Sequence, residues 1–211
     1  MSREKRIVEG GYDRIAEEYT RARKRMGRRD KKYLDLLLER LPDGSRVLDL
    51  GCGSGVPITE LLVEHYDVTG VDISRRQIQL AREQVPEGNF FIGDMTEISF
   101  PDGAFDAIIS LLAIIHVPRE EHADLFRRMH NMLKEGGLIL LTLGPTDWVS
   151  SPDDRFFGVK MYWSHYGSET SKKMVEKAGF SIIQSSIEGE EFHGVHEEHL
   201  YLLAKKTRKG D

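Results

Sequence analysis

The chain has 211 residues, 39% of them apolar and 31% charged, with a formal net charge of -5 at neutral pH. That length suits one α/β domain over residues 1–211, able to bury most of its apolar surface in one core, and the balance is that of an ordinary globular protein. No apolar run reaches the ~20 residues of a bilayer span, and the charged start Met1-Ser2-Arg3-Glu4-Lys5-Arg6 is unlike a secretory signal, so a cytoplasmic protein is expected. Residues 7–40 read as a helical cap: Tyr12, Ile15, Ala16 and Tyr19 recur at helical spacing, and Tyr33, Leu34, Leu37, Leu38 and Leu41 resume it after a Met26-Gly27 break. Pro42-Asp43-Gly44 ends this stretch. Strands are then expected at Val47–Leu50, Val68–Asp72, Asn89–Gly93, Phe105–Leu112 and Leu138–Leu143. Helices fall between them at Thr59–His65, Ser74–Gln84 with Ser74 as N-cap, and Arg119–Leu133, the last stopped by Gly136-Gly137. Such alternation implies a parallel sheet with right-handed crossovers. Residues 144–167 lack periodicity. A helix over Ser168–Ala178, ended by Gly179, leads to two strand-like runs, Ser181–Ile187 and His199–Ala204, close enough in sequence to be antiparallel.

Two distributions stand out. Residues 21–32 carry eight Lys/Arg against one acid, Asp30. This is either a solvated helix face or an attraction for an anionic substrate; the acidic remainder of the chain disfavours nucleic acid. The single cysteine, Cys52, has no partner for an internal disulfide.

The first strand runs through Asp49 into Gly51-Cys52-Gly53-Ser54-Gly55. A glycine turn between strand and helix lets a ligand approach backbone that side chains would shield. A dinucleotide fingerprint would put Val56 at its third small position, so the spacing disfavours NAD. Asp72 ends the second strand and Asp94 the third. A carboxylate at the former place can accept two ribose hydroxyls, and one at the latter an exocyclic amine, with Ile73 and Met95 to sandwich the ring.

Val47-Leu48-Asp49-Leu50-Gly51-Cys52-Gly53-Ser54-Gly55, Val71-Asp72, Gly93-Asp94-Met95, Phe105-Asp106-Ala107-Ile108-Ile109-Ser110 and Leu133-Lys134-Glu135-Gly136-Gly137 resemble, in order and spacing, the motifs of the class I S-adenosylmethionine-dependent methyltransferases. The resemblance spans about residues 10–206. It implies a Rossmann-like, doubly wound seven-stranded sheet of order 3-2-1-4-5-7-6 with the last strand antiparallel. It implies S-adenosylmethionine as cofactor and S-adenosylhomocysteine as product, residues 45–143 forming the cofactor half and 144–206 the acceptor side. Carried over, it puts the methionine end near Asp49, Gly51, Ser110 and Leu111, the ribose on Asp72, and the adenine beside Asp94 and Met95. Tyr12-Asp13-Arg14-Ile15-Ala16-Glu17-Glu18-Tyr19 resembles the opening helix of small-molecule members, which covers the cofactor; Tyr12 and Tyr19, seven apart, also suit plain core contacts.

Methyl transfer from a sulfonium needs alignment and dryness more than acid–base help, alignment alone being worth about 7–11 kcal/mol. A base is required only for an acceptor protonated at neutral pH, and His116 is the candidate, its ordinary pKa near 6.5 suiting the task; capping or packing is the alternative. Residues 148–166 hold six of the eighteen aromatics. Trp163, His165 and Tyr166 are therefore expected in the acceptor pocket, unless they seal the sheet edge. His193-x-x-His196-x-x-His199 has three imidazoles, but residues three apart alternate faces of a strand, so no metal site is expected. Ser110-Leu111-Leu112-Ala113 replaces the Asn/Asp-Pro-Pro-Tyr of enzymes that hold an extruded base, and no second cysteine offers a cytosine-attacking thiol. A small-molecule acceptor and a monomer or homodimer are expected. A nonenzymatic cofactor-binding module and an RNA or protein methyltransferase are the alternatives.

Overall fold

The computed structural model describes residues 1–24, 28–150, 154–192 and 194–207. The expected Met26-Gly27 break and His193 lie outside the described residues. The sequence builds α1 (Arg3–Arg23), α2 (Arg28–Leu38), β1 (Arg46–Leu50), α3 (Ile58–Leu62), β2 (Asp67–Asp72), α4 (Arg75–Gln84), β3 (Asn89–Ile92), β4 (Phe105–Ser110), α5 (His122–Met132), β5 (Leu133–Leu143), α6 (Ser168–Lys177), β6 (Phe180–Phe192) and β7 (Val195–Lys206). The sheet runs β3-β2-β1-β4-β5-β7-β6, as the family resemblance implies. β1 through β5 pair in parallel, and β7 lies antiparallel to both β5 and β6.

Strand alternation divides the core. Leu48, Ile108, Ile139 and Leu202 point to one face, under Leu125, Phe126 and Met129 of α5 and Val175 of α6. Val47, Ile109, Leu140 and Leu203 point to the other, under Tyr33, Leu34 and Leu37 of α2 and Leu62 of α3. Both faces of the central strands are thus covered, which is why they read as continuous apolar runs.

Three expectations need correction. Gly136-Gly137 does not stop α5: Leu133 already has extended backbone (φ -84°, ψ 143°) and pairs with Phe105. The glycines instead serve an irregularity within β5, where Gly136 has φ +75° and a Cβ on Gly137 would lie 3.0 Å from the Asp106 carbonyl oxygen. Residues 144–167 are not structureless, since Trp148–Val149 pairs with Ser164–His165 and Arg155–Phe156 with Val159–Lys160. The final hairpin outruns Ser181–Ile187 and His199–Ala204 at both ends, because Glu188 to Phe192 pair with Val195 to His199 beyond the reach of β5, which covers Leu200 to Lys205. The ribbon's inward face carries polar side chains such as Glu190, Glu197 and His199, so it leaves no alternating apolar pattern.

α1 begins at Ser2, whose Oγ accepts from the Lys5 amide at 3.3 Å, and lies across the carboxyl ends of the strands. Asp13 accepts from Ser74 Oγ (2.6 Å) and from the Arg76 amide (3.0 Å), tying α1 to the first turn of α4. On the other side, a Cβ at Gly11 would meet Met161 Cε at 2.9 Å, so that glycine admits the Val159–Met161 segment against the helix.

Candidate functional site

A cavity opens where β1, β2, β3 and β4 end beneath α1, the place where open α/β sheets take their ligands. Gly51, Gly53, Asp72, Ile73, Asp94, Met95, Leu111, Tyr12, Tyr19 and His116, all singled out in the sequence, face it. Gly51 has φ +81°, and a Cβ there would stand 2.2 Å from that of Ala113, so the close crossing of the two strand-end loops requires glycine. Asp72 organises the turn: its carboxylate accepts from the Gly53 amide (2.9 Å) and the Ser74 amide (2.8 Å), leaving one lone pair on each oxygen. Burial raises its pKa to about 6 despite those two bonds. Asp94 accepts from the Thr96 amide (2.9 Å) and hydroxyl (2.8 Å) through Oδ1. Its Oδ2 stands 2.9 Å from Lys5 Nζ but without a directed hydrogen bond, and so remains a buried acceptor.

Other expected residues act from behind the wall. Asp49 is 3% exposed, accepts from Thr59 Oγ1 at 2.7 Å, and burial lifts its pKa to about 7. Ser110 Oγ donates to the Leu50 carbonyl at 2.7 Å, joining β4 to the end of β1. Cys52 packs with Val85 and Phe90, and burial pushes its thiol well up, away from reactivity. A Cβ at Gly55 would touch Val85 at 3.0 Å, so that glycine serves turn packing.

Two side chains in this wall escaped the sequence reading. Gln77 is 1% exposed, faces the cavity, and has no partner for either amide atom. Ser74-x-x-Gln77 has the spacing of a capping box. Only half of it forms, with the Gln77 amide donating to Ser74 Oγ (3.1 Å), because Asp72 already takes the Ser74 amide and frees the Gln77 side chain for the cavity. Lys5, 6% exposed, donates to Thr96 and to Glu121 at 2.6 Å each. Its trace in the sequence is a charge in phase with the Val8, Tyr12, Ile15 and Tyr19 stripe.

A second cavity, about 350 Å³, adjoins the first and shares Tyr12, Tyr19, Leu112 and His116 with it. Phe156, Trp163 and Phe192 supply its other aromatic walls. Leu112 holds φ +59°, a costly conformation for a branched side chain, and its amide is fixed by the Thr142 hydroxyl. His165 and Tyr166 face neither cavity: His165 packs on Gly144 and bonds the Thr146 carbonyl (2.7 Å), while Tyr166 lies under Arg119 at 5.0 Å.

His116 sits between the cavities, 7% exposed. Its Nδ1 is 2.6 Å from the Tyr162 carbonyl oxygen, which can only accept, so Nδ1 carries the proton. Nε2 therefore accepts from the Tyr12 hydroxyl at 2.9 Å. Burial lowers the pKa to about 4, far from the 6.5 that made it attractive as a base. Of the three spaced histidines, His199 is buried and His196 exposed, and among the described residues no group of three His, Cys, Asp or Glu could hold a metal. Among the same residues no helix is long and apolar enough to cross a membrane.

A family model described as a methyltransferase domain matches residues 47–137. Phosphoethanolamine N-methyltransferase 3 of Arabidopsis thaliana is 30% identical over 186 residues, covering 85% of this chain and 37% of that enzyme. The chain spans little more than a third of the length of this and several other curated relatives. Magnesium protoporphyrin IX methyltransferase from Synechocystis PCC 6803, solved with S-adenosylmethionine, superposes with a TM-score of 0.72 at 20% identity, over 98% of this chain and 99% of that one. A [4+2]-cyclase shares the fold with a TM-score of 0.71 at 19% identity, over 94% of this chain and 95% of that one. With its motifs, sheet order and strand-end cavity, the chain belongs to the class I S-adenosylmethionine-dependent methyltransferases, whose cofactor is S-adenosylmethionine and whose product is S-adenosylhomocysteine.

Proposed function

We propose that the chain transfers a methyl group from S-adenosylmethionine to a small-molecule acceptor seated in the second cavity. The observation that carries the reading is the pair of cavities with a common wall, one at the strand ends and one lined by aromatic rings. Bound cofactor supplies a methyl group on a sulfonium, which leaves as a neutral thioether. The chain supplies the rest. Asp72 and Gln77 offer acceptors and a donor to ribose hydroxyls, Asp94 Oδ2 accepts from the adenine amine, and Ile73 and Met95 enclose the ring. The unpartnered buried amide atoms of the Gln77 side chain fit a ligand of this polarity. Asp49 and Ser110, one layer back, hold the loop beside the methionine end. Trp163 and Phe156 exclude water from the acceptor, and Tyr12, oriented by neutral His116, presents its oxygen where the cavities meet.

The relative named for phosphoethanolamine and the neighbour named for magnesium protoporphyrin support a small-molecule acceptor. A second reading, cofactor binding without methyl transfer, has support in the [4+2]-cyclase that shares the fold. Isothermal titration with S-adenosylmethionine and with NAD separates the cofactor classes: S-adenosylmethionine binds, NAD does not, and Asp72→Ala weakens binding at least tenfold. Unchanged affinity in that variant rejects the ribose assignment. S-adenosylhomocysteine release across a panel of amines, thiols, phenols and acids tests transfer, and tight cofactor binding with complete inactivity favours the second reading.

A further inference from the structure

The second cavity ends in a charge. Tyr19, Phe156, Trp163 and Phe192 form its apolar walls, with Tyr19 to Phe156 and Phe156 to Trp163 edge to face at 5.8 and 5.9 Å between centroids. One turn beyond Tyr19, α1 brings Arg23 into the same cavity, and Arg23 does not reach the first. Its side chain is 13% exposed and its guanidinium lies 5.6 Å over the Phe192 ring. Among the described residues one hydrogen bond fixes it, Nη2 to Asp30 Oδ2 at 3.0 Å. Asp30 is wholly buried and also accepts from the Tyr201 hydroxyl, so it acts as an anchor rather than as a ligand for anything in the cavity. A guanidinium has five N–H donors in a planar fork. A single anchor holds that fork in place and leaves donors for an oxyanion.

The surroundings favour an anion over a cation. Among the described lining residues Arg23 is the nearly enclosed charge, and its partner Asp30 is buried behind it. Glu197 and His199 of β7 line the same cavity. Glu197 is partly exposed, where water and salt screen its field, while Arg23 is nearly enclosed.

We infer that the acceptor carries an oxyanion, carboxylate or phosphate, at the end away from the methylated atom, that Arg23 receives it, and that an apolar body lies along the aromatic rings. This rests on the methyltransferase reading and adds the acceptor class to it. The test uses the full chain saturated with S-adenosylhomocysteine, in a Trp148→Phe background so that fluorescence reports Trp163. The probes are 3-phenylpropanoate, phenyl phosphate and 3-phenylpropan-1-amine, with calorimetry as the second readout. At least one of the two anions binds tenfold or more tightly than the amine, and which one does so names the oxyanion. Arg23→Gln abolishes that preference. Because this variant strands a buried Asp30, the double variant Arg23→Gln/Asp30→Asn is measured beside it, with the same loss of preference and unchanged S-adenosylhomocysteine affinity expected. Equal or tighter binding of the amine, a preference that survives in the double variant, or no binding by any probe overturns the inference. Failure of the wild-type chain to bind S-adenosylhomocysteine overturns the methyltransferase reading and this one with it, so the two failures are distinguishable.

Discussion

The two cavities share Tyr12, Tyr19, Leu112 and His116 but are made of different material. The first is backbone and strand ends: Gly51 and Gly53 after β1, Asp72 at the end of β2, Asp94 after β3, each placed by the sheet. The second is side chains from four separate sources, namely α1, residues 112–116 after β4, residues 156–163 and the outer part of the β6–β7 hairpin. A site built on strand ends has little freedom to change without moving the sheet. One built on a helix face, irregular segments and the outer part of a hairpin can change its lining while the core stays intact. The difference divides cofactor from acceptor, and it can be broken or sharpened by substitution.

The largest effect is expected at Gly51. Alanine there needs a Cβ 2.2 Å from that of Ala113 at φ +81°, so the two loops must part. Cofactor affinity falls by about a hundredfold or more, on the order of 3 kcal/mol, in titration calorimetry. Affinity within threefold of wild type would show that the backbone does not shape the first cavity. The counterpart is Trp163→Ala, expected to raise the acceptor KM about tenfold while leaving cofactor affinity alone; a matching loss in both would erase the distinction between the cavities.

Asp49 gives a smaller effect with a pH signature. Its pKa of about 7 in the fold exceeds the ordinary 3.8, so the folded chain retains a proton that the unfolded chain releases. Stability from this group is therefore lost as pH rises from about 4 to about 7, and Asp72, at about 6, acts in the same sense. Asp49→Asn removes the cost. Thermal unfolding without cofactor should show stabilisation of about 2–4 kcal/mol at pH 8 and none at pH 4, together with weaker cofactor binding. Such a gain at the expense of binding marks a residue kept for function. Equal stabilisation at both pH values would reject burial of the charge as the cause.

What the sequence disclosed follows the same division. Apolar strand runs and helix caps are local, so β1 to β5, Ser74 and the acids at the strand ends were legible. Lys5 and Gln77 were not, because their roles depend on partners 89 and more residues away or on a capping bond that fails to form. Phe192 was hidden by its place on a polar hairpin extension. His165 and Tyr166 sit in the aromatic-rich run, yet strand pairing at Ser164–His165 turns them toward Gly144 and Arg119 rather than the acceptor space. Composition located the region but not which rings face inward.

The subtlest expected effect lies on the shared wall. A histidine whose Nδ1–H is held by a carbonyl and whose pKa is about 4 is neutral throughout the physiological range. It acts on Tyr12 as a fixed acceptor, so it positions the hydroxyl rather than withdrawing a proton from the acceptor. His116→Gln and Tyr12→Phe should each lower kcat about tenfold, near 1.4 kcal/mol, with cofactor affinity unchanged. The pH profile between 6 and 9 should have the same shape in wild type and in both variants, because His116 does not titrate there. A limb near pH 6.5 that disappears in His116→Gln would instead make His116 the base, whereas a limb that survives in the variant belongs to Asp49 or Asp72. An intact kcat in both variants would remove the pair from the reaction and leave Tyr12 and His116 as packing between the two cavities.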